Sequence, residues 1–200
     1  MSDKATLRTA ARAHRKRLSE MFPDAALRLA AQADALLDAL FGTTGGWSRE
    51  AARGRRLTVA LYRARGSEID PSLLARRLAD MSCDLCLPVV LERDAPMGFR
   101  AWSPGDPLTP DLAGSAAPLA SAPEVAPDLI LCPLLAFDDT GARLGQGGGY
   151  YDRTVAVLSG VAFVGLAYAG QAVDQLPMER HDIALHGVLT GTGYRPCRKV

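Results

Sequence analysis

A long apolar run, Leu129 to Phe137, lies just upstream of a stretch with four glycines in five residues, Gly145 to Gly149, and this pairing narrows the fold more than any other part of the chain. The run is apolar throughout apart from Pro133 and reads as a central strand buried on both faces, with a bend or break in its ladder at the proline. A helix is expected from about Tyr150 to Leu158. A strand, a glycine turn and a helix in that order form the place where an α/β sheet takes its ligands. Asp138, Asp139, Thr140 and Gly141 are simple turn residues. Beyond them, glycines let backbone amides approach phosphate oxygens closely, and the positive end of the next helix adds attraction for an anion. Arg143 offers a guanidinium fork that suits phosphate. A lone glycine pair would read as a tight turn, but here Arg143, Tyr150, Tyr151 and Asp152 flank the glycines. No Gly-Lys-Ser/Thr ends the loop, and Tyr150 stands where a dinucleotide fingerprint needs its third glycine, so the cradle is of another type.

The rest of the chain supplies the alternation of strand and helix that an α/β fold needs. A helix is expected from about Lys4 to Glu20, capped by Ser2 or Asp3, and a second from about Asp24 to Phe41, stopped by Gly42. Thr43 to Arg56 reads as a loop. Leu57 to Tyr62 reads as a strand. Asp70 and Pro71 open a helix that runs to about Met81. Leu85 to Leu91, Phe99 to Trp102, Val161 to Tyr168 and a segment near Val188 are further strands. Ser103 to Asp128 is a connection long enough to suggest a functional loop. The expected architecture is a single three-layer α/β domain over residues 1–200, with a central, largely parallel sheet flanked by helices.

Composition excludes several classes. With 48% hydrophobic and 22% charged residues the chain can fill a core, and the formal net charge of +1 gives no global field toward nucleic acid or an anionic bilayer. No apolar stretch reaches the ~20 residues of a membrane span, and the N-terminus lacks the apolar run of a signal peptide. A soluble, cytoplasmic protein without nucleic-acid or membrane partners is expected. Met1 to Glu20, rich in Arg and Lys and poor in acids, is also how a mitochondrial transit peptide looks. On the helix, however, Lys4, Arg8 and Arg12 recur every fourth residue and form one basic stripe, with Arg15 and Lys16 nearby. Cys83 and Cys86 form a CxxC without a second pair or a nearby His, and read as buried thiols. His14, His181 and His186 show no nucleophile–base pattern and read as surface or structural residues.

Three runs then carry a resemblance. Pro133-Leu-Leu-Ala-Phe-Asp138, Gly141-Ala-Arg-Leu-Gly145 and Gly147-Gly-Gly-Tyr-Tyr-Asp-Arg153 resemble the signature of the 5-formyltetrahydrofolate cyclo-ligase family. Lys4-Ala-Thr-Leu-Arg8, Glu68-Ile-Asp-Pro71, Trp102-Ser-Pro-Gly-Asp106, Leu176-Pro177, His181-Asp-Ile183 and Val188-Leu-Thr190 extend it over nearly the whole chain. The resemblance implies conversion of 5-formyltetrahydrofolate and ATP, with Mg2+, into 5,10-methenyltetrahydrofolate, ADP and phosphate. It implies that Lys4, Arg8, Arg143 and the loop Leu144, Gly145, Gln146, Gly147, Gly148, Gly149, Tyr150 and Tyr151 hold ATP, with Arg143 and Lys4 the catalytic cations. Glu68 would hydrogen-bond the pterin, and Trp102 and Tyr151 would give it flat walls, the loop Gln146 to Tyr151 also touching the folate. Asp152 and Asp182 would ligate the metal. A helix carrying two ATP ligands is then no removable leader. A monomer or weak homo-oligomer is expected. Gln146 stands where many relatives have a basic or aromatic residue, and Gly191 where an acidic one is common. Those departures keep open a catalytically silent folate or nucleotide binder, beside a sugar-phosphate or acyl-handling α/β enzyme.

Overall fold

The structure, a computed structural model, describes residues 4–42 and 56–198. The expected caps Ser2 and Asp3, and the expected loop up to residue 55, lie outside the described residues. The chain opens with three helices, α1 (Lys4–Met21), α2 (Ala25–Ala30) and α3 (Ala33–Phe41). Next come β1 (Thr58–Ala60), α4 (Ser72–Asp80), β2 (Asp84–Val89) and β3 (Gly98–Ala101), then a small hairpin of β4 (Leu108–Pro110) and β5 (Ala116–Pro118). The second half holds β6 (Leu129–Pro133), β7 (Ala136–Phe137), β8 (Arg143–Leu144), α5 (Tyr150–Val157), β9 (Ala162–Leu166), β10 (Gly187–Thr190) and β11 (Gly193–Pro196).

Seven strands share one sheet in the order β11-β10-β9-β6-β1-β2-β3. The inner pairings are parallel, and only the outermost strands, β3 and β11, run antiparallel to their neighbours. Period-two alternation sorts the strand residues between two faces. Val59, Leu85, Leu87, Leu129, Leu131 and Val164 join Leu29, Leu36, Leu40, Leu74 and Leu78 of α2, α3 and α4 in one buried cluster. Ala60, Cys86, Ile130, Cys132, Phe163 and Val188 join Val155 of α5 in another. The three layers expected from the sequence are therefore present. The CxxC divides between them, since Cys83 belongs to the first cluster and Cys86 to the second. Burial raises the Cys83 thiol pKa and pushes those of Cys86 and Cys132 up to about 12. Among the described residues no helix is long and apolar enough to cross a membrane.

Three local features differ from expectation, while a fourth, the break at Pro133, is the one the proline led us to expect. The second helix is two, because the Gln32 amide turns to Leu29 O at 3.1 Å before α3 restarts with Leu36 N to Gln32 O at 2.9 Å. That break lets α2 pack on α4 and β10 while α3 packs on β11 and α4. The apolar run leaves the main sheet at Pro133, where proline cannot donate to a ladder, and β7 pairs with β8 instead. The long connection contains the β4–β5 hairpin, pinned by Asp111: its Oδ1 accepts from Ala113 N at 2.9 Å and Ser115 N at 2.8 Å, its Oδ2 from Val90 N at 2.9 Å. Finally, β11 follows β10. By contrast, Asp70 opens α4 as expected, accepting from Ser72 N at 2.9 Å across Pro71.

Candidate active site

The carboxyl ends of β1 and β6 open into one cleft of about 730 Å³, roofed on one side by the hairpin β7–β8 and its glycine loop. Leu144, at the end of β8, leads straight into the loop 145–149. Two of its glycines are required by geometry. Gly147 has φ +102° and a Cβ there would stand 3.2 Å from the Arg8 guanidinium carbon. Gly149 has φ +64° as the cap of α5, a left-handed conformation that side chains disfavour. The backbone bond that opens α5 runs from Arg153 N to Gly149 O at 3.1 Å. The amides of Tyr150, Tyr151 and Asp152 thus sit in the first turn, where a helix has no oxygen of its own to offer. All three residues line the cleft.

Helix α1 brings the basic stripe to this loop. Arg8 Nε donates to Gly145 O at 3.1 Å, and Arg12 Nε to Gln146 Oε1 at 3.0 Å. Lys4 Nζ lies 2.9 Å from Asp182 Oδ2 and 3.3 Å from Glu179 Oε1. Burial alone would lower the Lys4 pKa, but the two carboxylates outweigh it and raise the ammonium above its ordinary value. Burial likewise pushes Asp182 up, and the Glu179 amide with the Lys4 ammonium more than offsets it, leaving the carboxyl below its ordinary value. Both Lys4 and Arg8 line the cleft, so residues about 140 positions apart in the chain meet there.

Arg143 also lines the cleft, yet both of its terminal nitrogens are engaged within the protein. Nη2 pairs with Asp152 Oδ1 at 2.8 Å, Nη1 donates to Ile183 O, and the guanidinium carbon lies 4.6 Å from the Phe163 ring centroid. Asp152 Oδ1 takes a second bond, from Ile183 N at 2.9 Å. Opposite, Glu68 accepts from Arg65 N at 2.9 Å and pairs with Arg15 at 3.5 Å. Tyr62 and Tyr151 also line the cleft, each close enough to Glu68 to feel its charge. Burial, with the Glu68 charge and other neighbours, holds the Tyr62 phenol well above its ordinary value; for Tyr151 burial leads, followed by Cys132 and Glu68.

One expected site residue is misplaced. Trp102 does not line this cleft; it is 6% exposed within the helix-side core, because its strand-end position turns the indole under the sheet. Arg63, a cleft residue, stands 5.9 Å over its outer face. Glu68, Arg143, Leu144, Gln146, Asp152, Asp182 and the whole glycine loop do line the cleft. Sequence reasoning missed Tyr62, Arg65, Met97, Asp111 and Glu179. Only Glu179 carried a signal, its place inside the stretch Leu176 to Ile183. His181 is exposed but on the rim, 3.2 Å from Glu179 Oε2, while His14 and His186 hold backbone atoms of Gly170 and Phe163. Among the described residues Glu179, His181 and Asp182 form the one group whose ligand atoms converge within 4.8 Å, and Asp152 stands outside it.

A model of the 5-formyltetrahydrofolate cyclo-ligase family matches residues 1–191. The chain belongs to that family. It is an enzyme of the cyclo-ligase class. It is 35% identical over 140 residues to a 5-formyltetrahydrofolate cyclo-ligase of Haemophilus influenzae, covering 66% of this chain and 75% of the relative. It is 34% identical to that of Escherichia coli K12 over 140 residues, 66% of this chain and 77% of the other. Among solved structures, the 5,10-methenyltetrahydrofolate synthetase of Aquifex aeolicus superposes with a TM-score of 0.73 at 28% identity, covering 98% of this chain and 94% of that one. A Mycoplasma pneumoniae synthetase shares the fold, with a TM-score of 0.68 at 21% identity over 95% and 99% of the two chains.

Proposed function

We propose that this protein converts 5-formyltetrahydrofolate and ATP, with magnesium, into 5,10-methenyltetrahydrofolate, ADP and phosphate. The observation that carries the reading is the meeting in one cleft of the glycine loop, the Lys4 and Arg8 side chains of α1, and Glu68 with Tyr62 and Tyr151. Such a cleft has an anion-binding half and a half with flat apolar walls beside a carboxylate, which suits a triphosphate next to a reduced pterin.

The residues also fit the metal. Magnesium takes hard oxygen ligands, commonly one or two carboxylates with substrate phosphates. Asp152 and Asp182, with Glu179 beside the latter, supply carboxylates to the cleft. When bound, the ion neutralises charge on the phosphate oxygens. In the proposed reaction the formyl oxygen attacks the γ-phosphorus, the bond to the β-phosphate oxygen breaks, and ADP leaves. The formyl oxygen carries no proton, so no strong base is required, in keeping with histidines that serve structure or the rim. Lys4, Arg8 and the loop amides steady the transferring charge, and positioning does most of the work. Glu68 orients the pterin. The folate's second nitrogen then attacks the activated carbon and closes the ring, its proton passes to solvent, to the phosphate or to Glu68, and the carbon–oxygen bond breaks to release phosphate. Arg143, engaged by Asp152 and Ile183, holds the metal-side carboxylate in place as well as adding its charge to the phosphate half.

Purified protein mixed with 5-formyltetrahydrofolate, ATP and magnesium should raise the absorbance of the methenyl product, and leaving out any component should abolish the rise. Folded protein that stays silent in the complete mixture would sink the proposal.

A further inference from the structure

The basic stripe of α1 ends in a residue that behaves unlike the others. Lys4, Arg8 and Arg12 reach the cleft or its loop, but Arg15 is turned into the protein and only 5% exposed. An arginine is rarely buried unless every part of its fork is met. Here Nε donates to Ser67 Oγ at 3.1 Å, and Nη1 donates to Leu134 O at 3.0 Å and faces Glu68 Oε1 at 3.5 Å. The Leu134 carbonyl lies just past β6 and is also held by Gln171 Nε2 at 2.9 Å, so the arginine is anchored on the end of a central strand.

Glu68, by contrast, sits on the connection between β1 and α4, a segment without a ladder of its own. Its side chain is 7% exposed, and that small exposure is toward the cleft. One oxygen is tied to the Arg65 amide, and the other meets Arg15. Arg15 does not line the cleft, so no substrate in it can touch the guanidinium. We propose that Arg15 is a positioning residue for the folate half of the cleft, fixing the Glu68 carboxylate through a buried ion pair. This rests on the reading of Glu68 as the pterin contact. The same helix carries Lys4 and Arg8 to the phosphate half, yet Arg15 acts on the other substrate.

A strut and a positioning residue differ in what their loss changes. Loss of a strut lowers stability and leaves the substrate parameters alike. Loss of Arg15 should raise KM for 5-formyltetrahydrofolate and leave KM for ATP within about twofold, and the effect should vanish once Glu68 is neutral. The test is a kinetic cycle of wild type, Arg15→Gln, Glu68→Gln and the double variant, each checked for native circular dichroism. We expect roughly a tenfold fall in kcat/KM for the folate in Arg15→Gln, within the range that contacting pairs show, and no further fall on adding it to Glu68→Gln. Arg15→Lys should recover part of the loss. If Arg15→Gln does not fold, Arg15→Lys and Ser67→Ala carry the same cycle with milder changes. Additive effects, or an equal rise in KM for ATP, would overturn the proposal while the activity itself stands. Wild type that neither turns over nor binds 5-formyltetrahydrofolate by fluorescence titration would overturn the functional reading and this proposal together.

Discussion

Removal of the Arg143 side chain should cost the protein more in folding than any single surface change. In Arg143→Ala the Asp152 carboxylate keeps the bond from Ile183 N at 2.9 Å and loses the Arg143 guanidinium, its one cation partner among the described residues, at 2.8 Å. The two side chains are 6% and 17% exposed, so water reaches the remaining charge poorly. Stripping one partner from such a pair costs about 3 to 5 kcal/mol, and the guanidinium over the Phe163 ring contributes about 1 kcal/mol more. Because Asp152 keeps its amide and some solvent, about 3 kcal/mol is the expected loss. For a chain of this size that lowers Tm by roughly 6 to 12 °C. Thermal and urea unfolding followed by circular dichroism read it directly. The companion Arg143→Met with Asp152→Asn removes both charges and should recover at least half of the loss. A single variant melting within about 2 °C of wild type would refute the argument, since 3 kcal/mol cannot hide in that interval. In the same variant ATP use should weaken by about 1.5 to 3 kcal/mol, the scale of a charge-assisted hydrogen bond.

Two further predictions concern Lys4 and Gly141. Lys4→Gln should lower stability by about 1 kcal/mol near neutral pH, the pair with Asp182 being four-fifths buried. The depressed Asp182 pKa makes that contribution present above the ordinary carboxylate value of 3.8 and lost as pH falls through the folded value; the raised Lys4 pKa makes it present below 10.5 and lost as pH rises beyond. Urea midpoints of wild type and variant should therefore differ by a constant amount from about pH 5 to 9 and converge in acid, and a difference that persists at about pH 2 would remove the ion pair as its cause. Gly141→Ala should destabilise by about 2 kcal/mol or more, because φ is +87° and the new Cβ would stand 2.5 Å from Leu185 O. A wild-type urea midpoint would show that the Leu185 segment yields freely.

The sheet was legible because burial on both faces leaves a plain mark, the apolar runs around Leu131, Leu87 and Val164. Ends were less so. Nothing in Ala30-Ala-Gln-Ala33 breaks a helix by propensity; the break arises where two halves pack on different partners. The β4–β5 hairpin was hidden since its strands have three residues each and owe their turn to Asp111, which also reaches back to Val90. Trp102 went astray for the related reason that an aromatic at a strand end can face either side, and only packing under α4 selects one.

By itself the sequence determined the layers, the glycine loop and its residues, since glycine at positive φ, a helix start and strand periodicity are local properties of the chain. It also placed Lys4, Arg8 and Arg12 on one face of α1, because helical spacing alone does that. Which cation meets which anion was decided only by tertiary structure. Arg143 with Asp152, Lys4 with Asp182 and Arg15 with Glu68 are pairs between distant segments, and a charge carries no mark in sequence of the partner that burial will bring to it.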